Sequence, residues 1–309
     1  MLILALVTLL ATIAGVAAER RWKTGAKKLS GHMLEVLVFV LMPVIIFFAV
    51  IDLQITGAVG AGLAFGWIER IAVVIAAWLI ATKLLSLTRP QTGALMAAVA
   101  IANTGYLGIP LTALLLGGSH VPLSAAYDNV VNTPAIVIIG FGIGAVFGTK
   151  SGQTWRQRLK AFLTRIPPLY ALILALLMPD SLHPSWGPDL VHTVAMSIAP
   201  IGFFALGVNL MLEQDEAGER VFPPPLTPAI FTALGLRLLL APVVMLGLSG
   251  LLLTVPHAFI LEAAMPCGIN ALVVAHLYGL DMKITVGTIV WSTGTVLGAV
   301  TAVEVFGLL

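Results

Sequence analysis

The sequence predicts an all-α polytopic membrane protein: ten transmembrane helices in two inverted five-helix repeats, with broken, crossing helices 4 and 9. Of its 309 residues, 59% are hydrophobic and 10% are charged, and the mean hydropathy is +1.06, which excludes an ordinary soluble domain. Apolar runs long enough to cross a bilayer recur from end to end. Two of these runs are interrupted by polar residues, glycine and proline at corresponding places in the two halves.

The predicted spans are residues 2–18, 32–52, 69–87, 93–116, 122–148, 166–181, 189–212, 229–253, 257–280 and 284–307. We read the first as a true helix because it lacks the charged start of a signal peptide and exceeds the usual apolar length. We expect residues 53–68 to form an outer-face connector. An alternative start of the third span near Gly57 would place Glu69 and Arg70 inside the membrane.

The basic residues predict the orientation. Fourteen of the sixteen fall on one face, which the positive-inside rule makes cytoplasmic: Arg20, Arg21, Lys23, Lys27, Lys28, Lys83, Arg89, Lys150, Arg156, Arg158, Lys160, Arg165, Arg220 and Lys283. Both termini are therefore expected on the non-cytoplasmic side of a plasma membrane, such as a bacterial inner membrane. Arg70 and Arg237 are the exceptions, and Arg237 either snorkels to the cytoplasmic face or pairs internally.

The two halves are related in pattern. MPVIIFFAVIDL from Met42 is similar to APIGFFALGVNL from Ala199, although such a match can arise by chance in an apolar chain. An odd number of spans per half makes the repeats inverted. The predicted units are residues 1–148 for the first repeat, 149–165 for a basic cytoplasmic linker and 166–309 for the second repeat.

The interruptions are the candidate binding site. The fourth span is broken by Asn103, Thr104, Gly105, Gly108 and Pro110, and the ninth by Pro266, Cys267, Gly268 and Asn270. A break at mid-membrane exposes peptide groups, which is tolerated only beside protein or a polar cavity. Glycine and proline also kink ordinary membrane helices, but two matched breaks, each with an asparagine, favour a site.

The broken helices predict the chemistry of that site. We expect their second halves to begin near Pro110 and Pro266, since proline suits a first helical position. Each helix N-terminus offers free amides and about half a positive charge, so two that converge would bind a small anion such as a carboxylate. The side chains of Asn103, Thr104 and Asn270 would help, and Gly105 and Gly268 would let the ligand approach the backbone.

Further polar residues lie near this site. Asp128 and Asn132 share a helix face, with Asn129 beside them, and either line a pathway or stand in headgroup water at a helix start. Glu262 lies one turn before the second break and could carry a proton, pair with His257 or sit near the surface.

Enzyme signatures are not found in the sequence. There is no P-loop, HExxH or GxSxG motif, and the glycines from Gly140 fit close helix packing. The single cysteine excludes an internal disulfide and a cysteine-based metal cluster. We therefore expect no catalysis, no cofactor, no metal and no nucleic-acid partner.

The motifs resemble those of the auxin efflux carrier family of bacterial permeases and plant PIN-like carriers. Residues 103–110, NTGYLGIP, look like its fourth-span Asn-x-Gly-(aromatic)-x-Gly-x-Pro pattern, with Tyr106 at the aromatic position. Residues 265–281 are similar to its ninth-span pattern, and Asp128–Asn129 with Asn132 resembles its fifth-span segment. The resemblance covers the whole chain in span order.

This resemblance implies a fold related to bile-acid symporters and sodium/proton antiporters. It implies a transport domain from helices 3–5 and 8–10, a scaffold from helices 1, 2, 6 and 7, often a homodimer, and elevator-type movement. It also implies an organic anion such as malate, malonate or an auxin-like indole carboxylate, with Asn103 and Asn270 at substrate-binding positions. The long cytoplasmic loop of many plant members is absent, so phosphorylation control there is not expected. The paired aspartates of the antiporters are missing from both breaks, which argues against obligatory proton antiport by that mechanism.

The sequence hypothesis is thus a secondary transporter of a small organic anion, coupled to a proton, to sodium or to neither. Its rivals are a sodium-coupled bile-acid-type symporter and a receptor on the same fold that binds without transport. The candidate binding residues are Asn103, Thr104, Gly105, Tyr106, Pro110, Asn129, Asn132, Pro266, Cys267, Gly268 and Asn270, with Asp128 and Glu262 as possible coupling groups.

Overall fold

The computed structural model describes residues 2–51, 56–150, 167–179, 186–216 and 224–305. Within these ranges the chain is almost entirely helical, and its β-type pairing is one isolated bridge between Ala102 and Cys267, so the all-α prediction is confirmed there. The helices are α1 (Leu2–Trp22), α2 (24–50), α3 (Gly57–Lys83), α4 (Arg89–Ala100), α5 (Thr104–Leu115), α6 (Gly118–Phe147), α7 (Pro167–Leu177), α8 (Gly187–Glu216), α9 (Pro228–Leu251), α10 (His257–Ala263), α11 (Asn270–Tyr278) and α12 (Met282–Val305).

Among the described residues, four helices are long and apolar enough to cross a bilayer. They are α3, α6, α9 and the part of α12 from Met282 to Ala302. Shorter apolar segments lie at Phe39–Phe48, Thr104–Leu115 and Pro200–Asn209. These lengths establish a helical membrane protein, while ten spans in two inverted repeats remain a prediction.

The predicted connector over residues 53–68 is wrong from Gly57 onward. The α3 helix begins there, and the Thr56 hydroxyl accepts a hydrogen bond from the Val59 amide at 3.3 Å as its N-cap. Glycines made this stretch look like a loop, but packing offsets their weak helix propensity: a Cβ on Gly66 would lie 2.8 Å from the Tyr127 ring. The alternative start near Gly57 is correct.

Wide π-helical turns mark prolines inside several helices. The turns Leu37–Leu41, Thr104–Gly108, Asp128–Asn132 and Gly235–Leu240 each end two residues before a proline. Proline lacks an amide donor and its ring crowds the carbonyl four residues earlier, which the extra residue of a π turn relieves. These helices therefore continue through their prolines.

Close packing separates two parts of the molecule. Helices α1 and α8 cross at glycines: a Cβ on Gly15 would lie 3.0 Å from the Val208 nitrogen, and one on Gly207 would lie 3.1 Å from the Val16 nitrogen. The largest hydrophobic core surrounds the two interruptions, with contributions from α3, α9 and α12, and it also includes Phe203 and Leu206 of α8. It holds the interrupted helices α4–α5 and α10–α11 against each other.

Candidate functional site

The two interruptions meet and are hydrogen-bonded to each other. The Asn103 amide donates to the Pro266 carbonyl at 2.8 Å, and the Gly268 amide donates to the Ile101 carbonyl at 2.8 Å. Gly268 permits this approach, because a Cβ there would lie 2.6 Å from the Ala102 oxygen. Peptide groups exposed by one break thus satisfy those exposed by the other, as a low-dielectric surrounding requires.

The half-helices do not begin at the prolines, so that prediction is wrong. The second halves start at Thr104 and Asn270. Pro110 lies inside α5, where the preceding π turn accommodates it, and Pro266 lies in the extended segment and contributes its carbonyl to the bridge. In the first turn of α11, the Ala271 and Leu272 amides donate to the Gly268 and Ile269 carbonyls at 3.0 and 2.9 Å, while both helix starts keep the positive end of their helix dipole.

A cavity of about 260 Å³ lies beside these helix starts. Its walls come from α2, the first interruption with α5, the middle of α6, and the second interruption with α11. Of the sequence-predicted residues, it is lined by Asn103, Gly105, Tyr106, Asp128, Asn132, Gly268 and Asn270. The structure therefore brings together side chains that are up to 167 positions apart in the chain, from residue 103 to residue 270.

Asn103 is the unsatisfied group in this cavity. Its side chain is only 3% exposed, and neither its Oδ1 nor its Nδ2 has a hydrogen-bond partner among the described residues. A buried amide without partners costs about 1–3 kcal/mol, and such groups call for an explanation. A bound ligand would supply both an acceptor and a donor.

Asp128 also faces the cavity, and it is buried rather than placed in headgroup water. Its Oδ1 accepts hydrogen bonds from the Thr104 hydroxyl and, at 3.2 Å, from the Asn132 side-chain amide. Its Oδ2 has no hydrogen-bond donor within the part of the chain that the structure describes, and it lies beside Gly105. The Asn132 oxygen accepts from the Ala102 amide at 3.1 Å, which ties α6 to the first interruption.

Several predicted site residues do not line the cavity. They are Thr104, Pro110, Asn129, Pro266 and Cys267. The Thr104 hydroxyl donates a hydrogen bond to Asp128, which does line the cavity. The Cys267 amide donates to the Ser292 hydroxyl at 3.1 Å. Asn129 follows Asp128 by about 100° around the helix and therefore points elsewhere; its amide donates to the Ala125 carbonyl at 2.8 Å. The expectation that Asn129 lines the site is wrong.

Glu262 occupies a separate buried position. It accepts hydrogen bonds from the Ser124 hydroxyl and, at 3.4 Å, from the Thr112 hydroxyl. Its Oε2 is without a partner among the described residues, and the carboxyl packs against Gly108. His257 is exposed, so the pairing of Glu262 with His257 is wrong. Glu262 links α10 to α5 and α6 without facing the cavity.

The opposite side of the crossing holds a buried ion network. Arg237 Nη1 lies 3.0 Å from Glu69 Oε1, and Arg70 Nε lies 3.4 Å from Glu69 Oε2. All three side chains are fully buried. Arg237 therefore pairs internally and does not snorkel.

Both arginines bind backbone carbonyls that precede the interruptions. Arg237 donates to the Met265 carbonyl through Nε and to the Ala263 carbonyl through Nη2, each at 2.8 Å. Arg70 donates to the Ala100 carbonyl at 2.8 Å. The Ala100 and Ala263 carbonyls belong to the C-terminal ends of α4 and α10, where the helix dipole is negative, and the Met265 carbonyl lies two residues beyond α10.

Other cavity residues were not predicted from the sequence. They include Met42, Thr133, Ile136, Val137, Phe141, Ile269 and Val273. A signal was present, because Asp128, Asn132 and Ile136 recur every fourth residue and share one helix face. Ile269 and Val273 have the same spacing.

Comparisons with known proteins agree with this architecture. A family described as membrane transport protein matches residues 157–303. An uncharacterized transporter of Methanothermobacter thermautotrophicus is 24% identical over 249 residues, which are 78% of this chain and 72% of that protein. The uncharacterized transporter MJ1031 of Methanocaldococcus jannaschii is 24% identical over 229 residues, 72% of this chain and 70% of that protein.

These similarities agree with the resemblance carried by the interrupted helices. A transporter family also accords with the expectation that the chain is not an enzyme. The match across its second half makes the chain similar to the membrane transport protein family, which is auxin efflux carrier-like, and together with the apolar helices it supports an integral membrane transporter.

Proposed function

We propose that this protein is a secondary transporter of a small organic anion, which binds in the cavity where the two interrupted helices cross. The observation that carries the proposal is the buried, unpartnered amide of Asn103 between two helix N-termini, at Thr104 and Asn270. The positive ends of two helices suit a carboxylate. The Asn103 amide and Asn270 supply the remaining polar contacts.

The size and lining of the cavity support a small substrate. Pockets for drug-sized ligands measure about 300–1,000 Å³, and this cavity measures about 260 Å³. Ile136, Val137, Phe141 and Val273 give it an apolar wall for the substrate's carbon skeleton. Malate, malonate or a compact auxin-like acid fits this description better than a steroid acid.

Asp128 gives the cavity a carboxyl group of its own, which bears on coupling. At an effective dielectric constant of 20, two negative charges about 4 Å apart repel by about 4 kcal/mol. An anionic substrate therefore enters best when Asp128 carries a proton, and the Oδ2 atom has room for it because no donor occupies it among the described residues. Arg70 and Glu262 act electrostatically on Asp128, and Tyr106 lies beside it in the lining.

Sodium coupling is the second candidate. Asp128 and Asn103 line the same cavity, Asn103 Oδ1 has no hydrogen-bond partner among the described residues, and carboxylate and amide oxygens bind hard cations. A sodium ion would neutralise Asp128 as a proton does. This version predicts uptake that fails when sodium is removed.

We further propose alternating access by an elevator movement, within two inverted repeats. In this arrangement α1, α2, α7 and α8 form the scaffold, and the remaining helices move with the substrate. The scaffold also forms the contact between the two copies of a homodimer. The close α1–α8 crossing supports a separate scaffold. A receptor on the same fold would bind the anion without flux into a sealed vesicle.

The test is substrate-induced current on a solid-supported membrane that carries the purified protein. Mono- and dicarboxylates are scanned with and without sodium or a pH gradient. We expect a current for at least one acid, lost in Asn103→Ala and Asn270→Ala and retained in the matched control Asn129→Ala, whose side chain lies outside the cavity. Unchanged substrate affinity in both cavity variants would refute the site.

A second measurement locates the coupling group. If Asp128 carries the proton, substrate affinity in the wild type weakens as the pH rises, whereas Asp128→Asn binds equally well across the same range. Glu262→Gln is the comparison, because Glu262 lies outside the cavity lining. A pH dependence that survives in Asp128→Asn and disappears in Glu262→Gln would move the proton to Glu262.

A further inference from the structure

We propose that Glu69, Arg70 and Arg237 form an internal clamp that holds the two interruptions in register. The three are positioning residues, and they act on the cavity through the backbone ends of α4 and α10. The clamp itself follows from the contacts alone, and only its effect on substrate affinity depends on the function proposed above.

The clamp reaches both interrupted helices at once. Arg237 binds the Ala263 and Met265 carbonyls of the second and, at 3.4 Å, the Val99 carbonyl of the first, while Arg70 binds the Ala100 carbonyl. The next carbonyl after Met265 belongs to Pro266, which accepts the bridging amide. A shift of either guanidinium therefore displaces the bridge within one or two residues.

The charges of the clamp balance without a ligand. Two guanidiniums and one carboxylate leave a net charge of one positive, and the C-terminal ends of α4 and α10 each carry about half a negative charge. The clamp therefore needs no anion to balance its charge, although Arg70 Nε and Nη2 have no hydrogen-bond partner among the described residues. The cavity differs in that its unpartnered group, the Asn103 amide, borders open space.

Glu69 connects the clamp to the helix that carries Asp128. The Tyr127 hydroxyl donates to Glu69 Oε2 at 3.4 Å, and Tyr127 directly precedes Asp128 in α6. The network thus joins α3, α4, α6, α9 and α10, and it fixes the distance between α6 and the two interruptions. The cavity walls formed by α6 and by the two interruptions depend on this distance.

Cys267 provides a probe for the register. It is the single cysteine of the chain, it is fully buried, and it belongs to the bridge itself. Its rate of alkylation by N-ethylmaleimide therefore reports opening of the interruption, at temperatures well below melting. The measurement needs no substrate, so its result stands even where no transported anion has been found.

The clamp predicts faster alkylation in Arg237→Lys and Tyr127→Phe. Loss of a hydrogen bond to a charged group corresponds to about a tenfold change in the opening equilibrium. Lys83→Gln is the matched control, since Lys83 lies exposed at the end of α3 and outside the network. If Arg237→Lys does not fold, Tyr127→Phe carries the test. Unchanged alkylation in the folded variants, with only a lower melting temperature, would overturn the proposal.

Glu69→Gln distinguishes two roles of the arginines: holding the interruptions in position, and supplying positive charge to an anion in the cavity. It leaves both arginines in place and adds a net positive charge beside the crossing. A positioning role predicts weaker anion binding by the folded protein, because the guanidiniums lose their common carboxylate. Tighter or unchanged binding would overturn the positioning role.

Discussion

The two sides of the helix crossing differ in how their polar groups are satisfied. On the cavity side, helix N-termini meet the Asn103 amide, which has no partner among the described residues. On the opposite side, helix C-termini meet Arg70 and Arg237, and Glu69 pairs with both guanidiniums, although Arg70 Nε and Nη2 have no hydrogen-bond partner among the described residues. The first side borders a cavity, whereas the second is filled by side chains of the protein.

The difference shows how a broken membrane helix can be both stable and functional. Each break creates a positive and a negative helix end, and neither can be left bare in a low-dielectric surrounding. Here the protein neutralises the negative ends with its own side chains, whereas the positive ends border the cavity. Stability and binding should therefore respond to substitutions on different sides.

The largest effect on stability is expected from Arg237→Met. The substitution leaves the Ala263 and Met265 carbonyls without their donor and Glu69 with only one cation. Breaking a buried ion pair costs about 3–5 kcal/mol. The free energy of unfolding, measured by titration with a denaturing detergent, should fall by this amount. Arg89→Met, which changes an exposed arginine, should change it by less than about 1 kcal/mol. Equal losses of free energy of unfolding in the two variants would mean that the buried ion network stabilises the protein no more than an exposed arginine does.

Gly108→Ala should have the next largest effect. A Cβ there would collide with the carboxyl of Glu262, whose Cδ lies 2.7 Å away, and Glu262 is fixed by Ser124 and Thr112. Overpacking of this kind costs about 1–3 kcal/mol. Gly105→Ala is the cavity-side counterpart: its Cβ would lie 3.1 Å from the flexible Met42 methyl group, so stability should change less while substrate affinity falls. A larger stability loss in Gly105→Ala than in Gly108→Ala would contradict the view that the cavity side tolerates added volume better.

Asn103→Ala should leave stability nearly unchanged. Its side chain makes no hydrogen bonds within the described chain, so its removal relieves the cost of about 1–3 kcal/mol of an unpartnered buried amide, which offsets the packing lost on truncation, and the protein should not be destabilised. Asn132→Ala removes hydrogen bonds to the Ala102 amide and to Asp128 and should cost about 1–3 kcal/mol. A large stability loss for Asn103→Ala would show that its amide has a structural partner.

The sequence predicted the places where the helices break but not how the breaks are closed. Asparagine and glycine at positions 103, 105, 268 and 270 marked both interruptions and four of the cavity residues. The prolines were misinterpreted as helix starts, because a π turn that absorbs Pro110 leaves no trace in local composition. The bridge between the two breaks joins residues 165 positions apart, from 102 to 267, and no local pattern specifies such a pairing.

Two residues of the clamp could be singled out from the sequence alone. Arg70 and Arg237 were the two basic residues that did not follow the positive-inside rule, and charged residues within apolar stretches usually face the bundle interior. Their partners could not be predicted, since the carbonyls they bind belong to helix ends whose positions depend on the breaks. A charge that violates the orientation rule is therefore a useful pointer to internal pairing.

Only a small effect on stability is expected from Gly202→Ala, at the boundary between the cavity and α8. A Cβ on Gly202 would lie 3.3 Å from the Tyr106 Cβ and 3.8 Å from the Leu37 Cδ1, which small side-chain shifts can relieve at a cost below about 1 kcal/mol. If α5 slides along α8 during transport, the added methyl group should slow turnover while substrate affinity stays near the wild-type value. The matched control is Gly142→Ala, where nothing lies within 4 Å of the added Cβ. Equal turnover in both variants would show that α5 does not move against α8. The cavity side would then keep its position relative to α8 during transport.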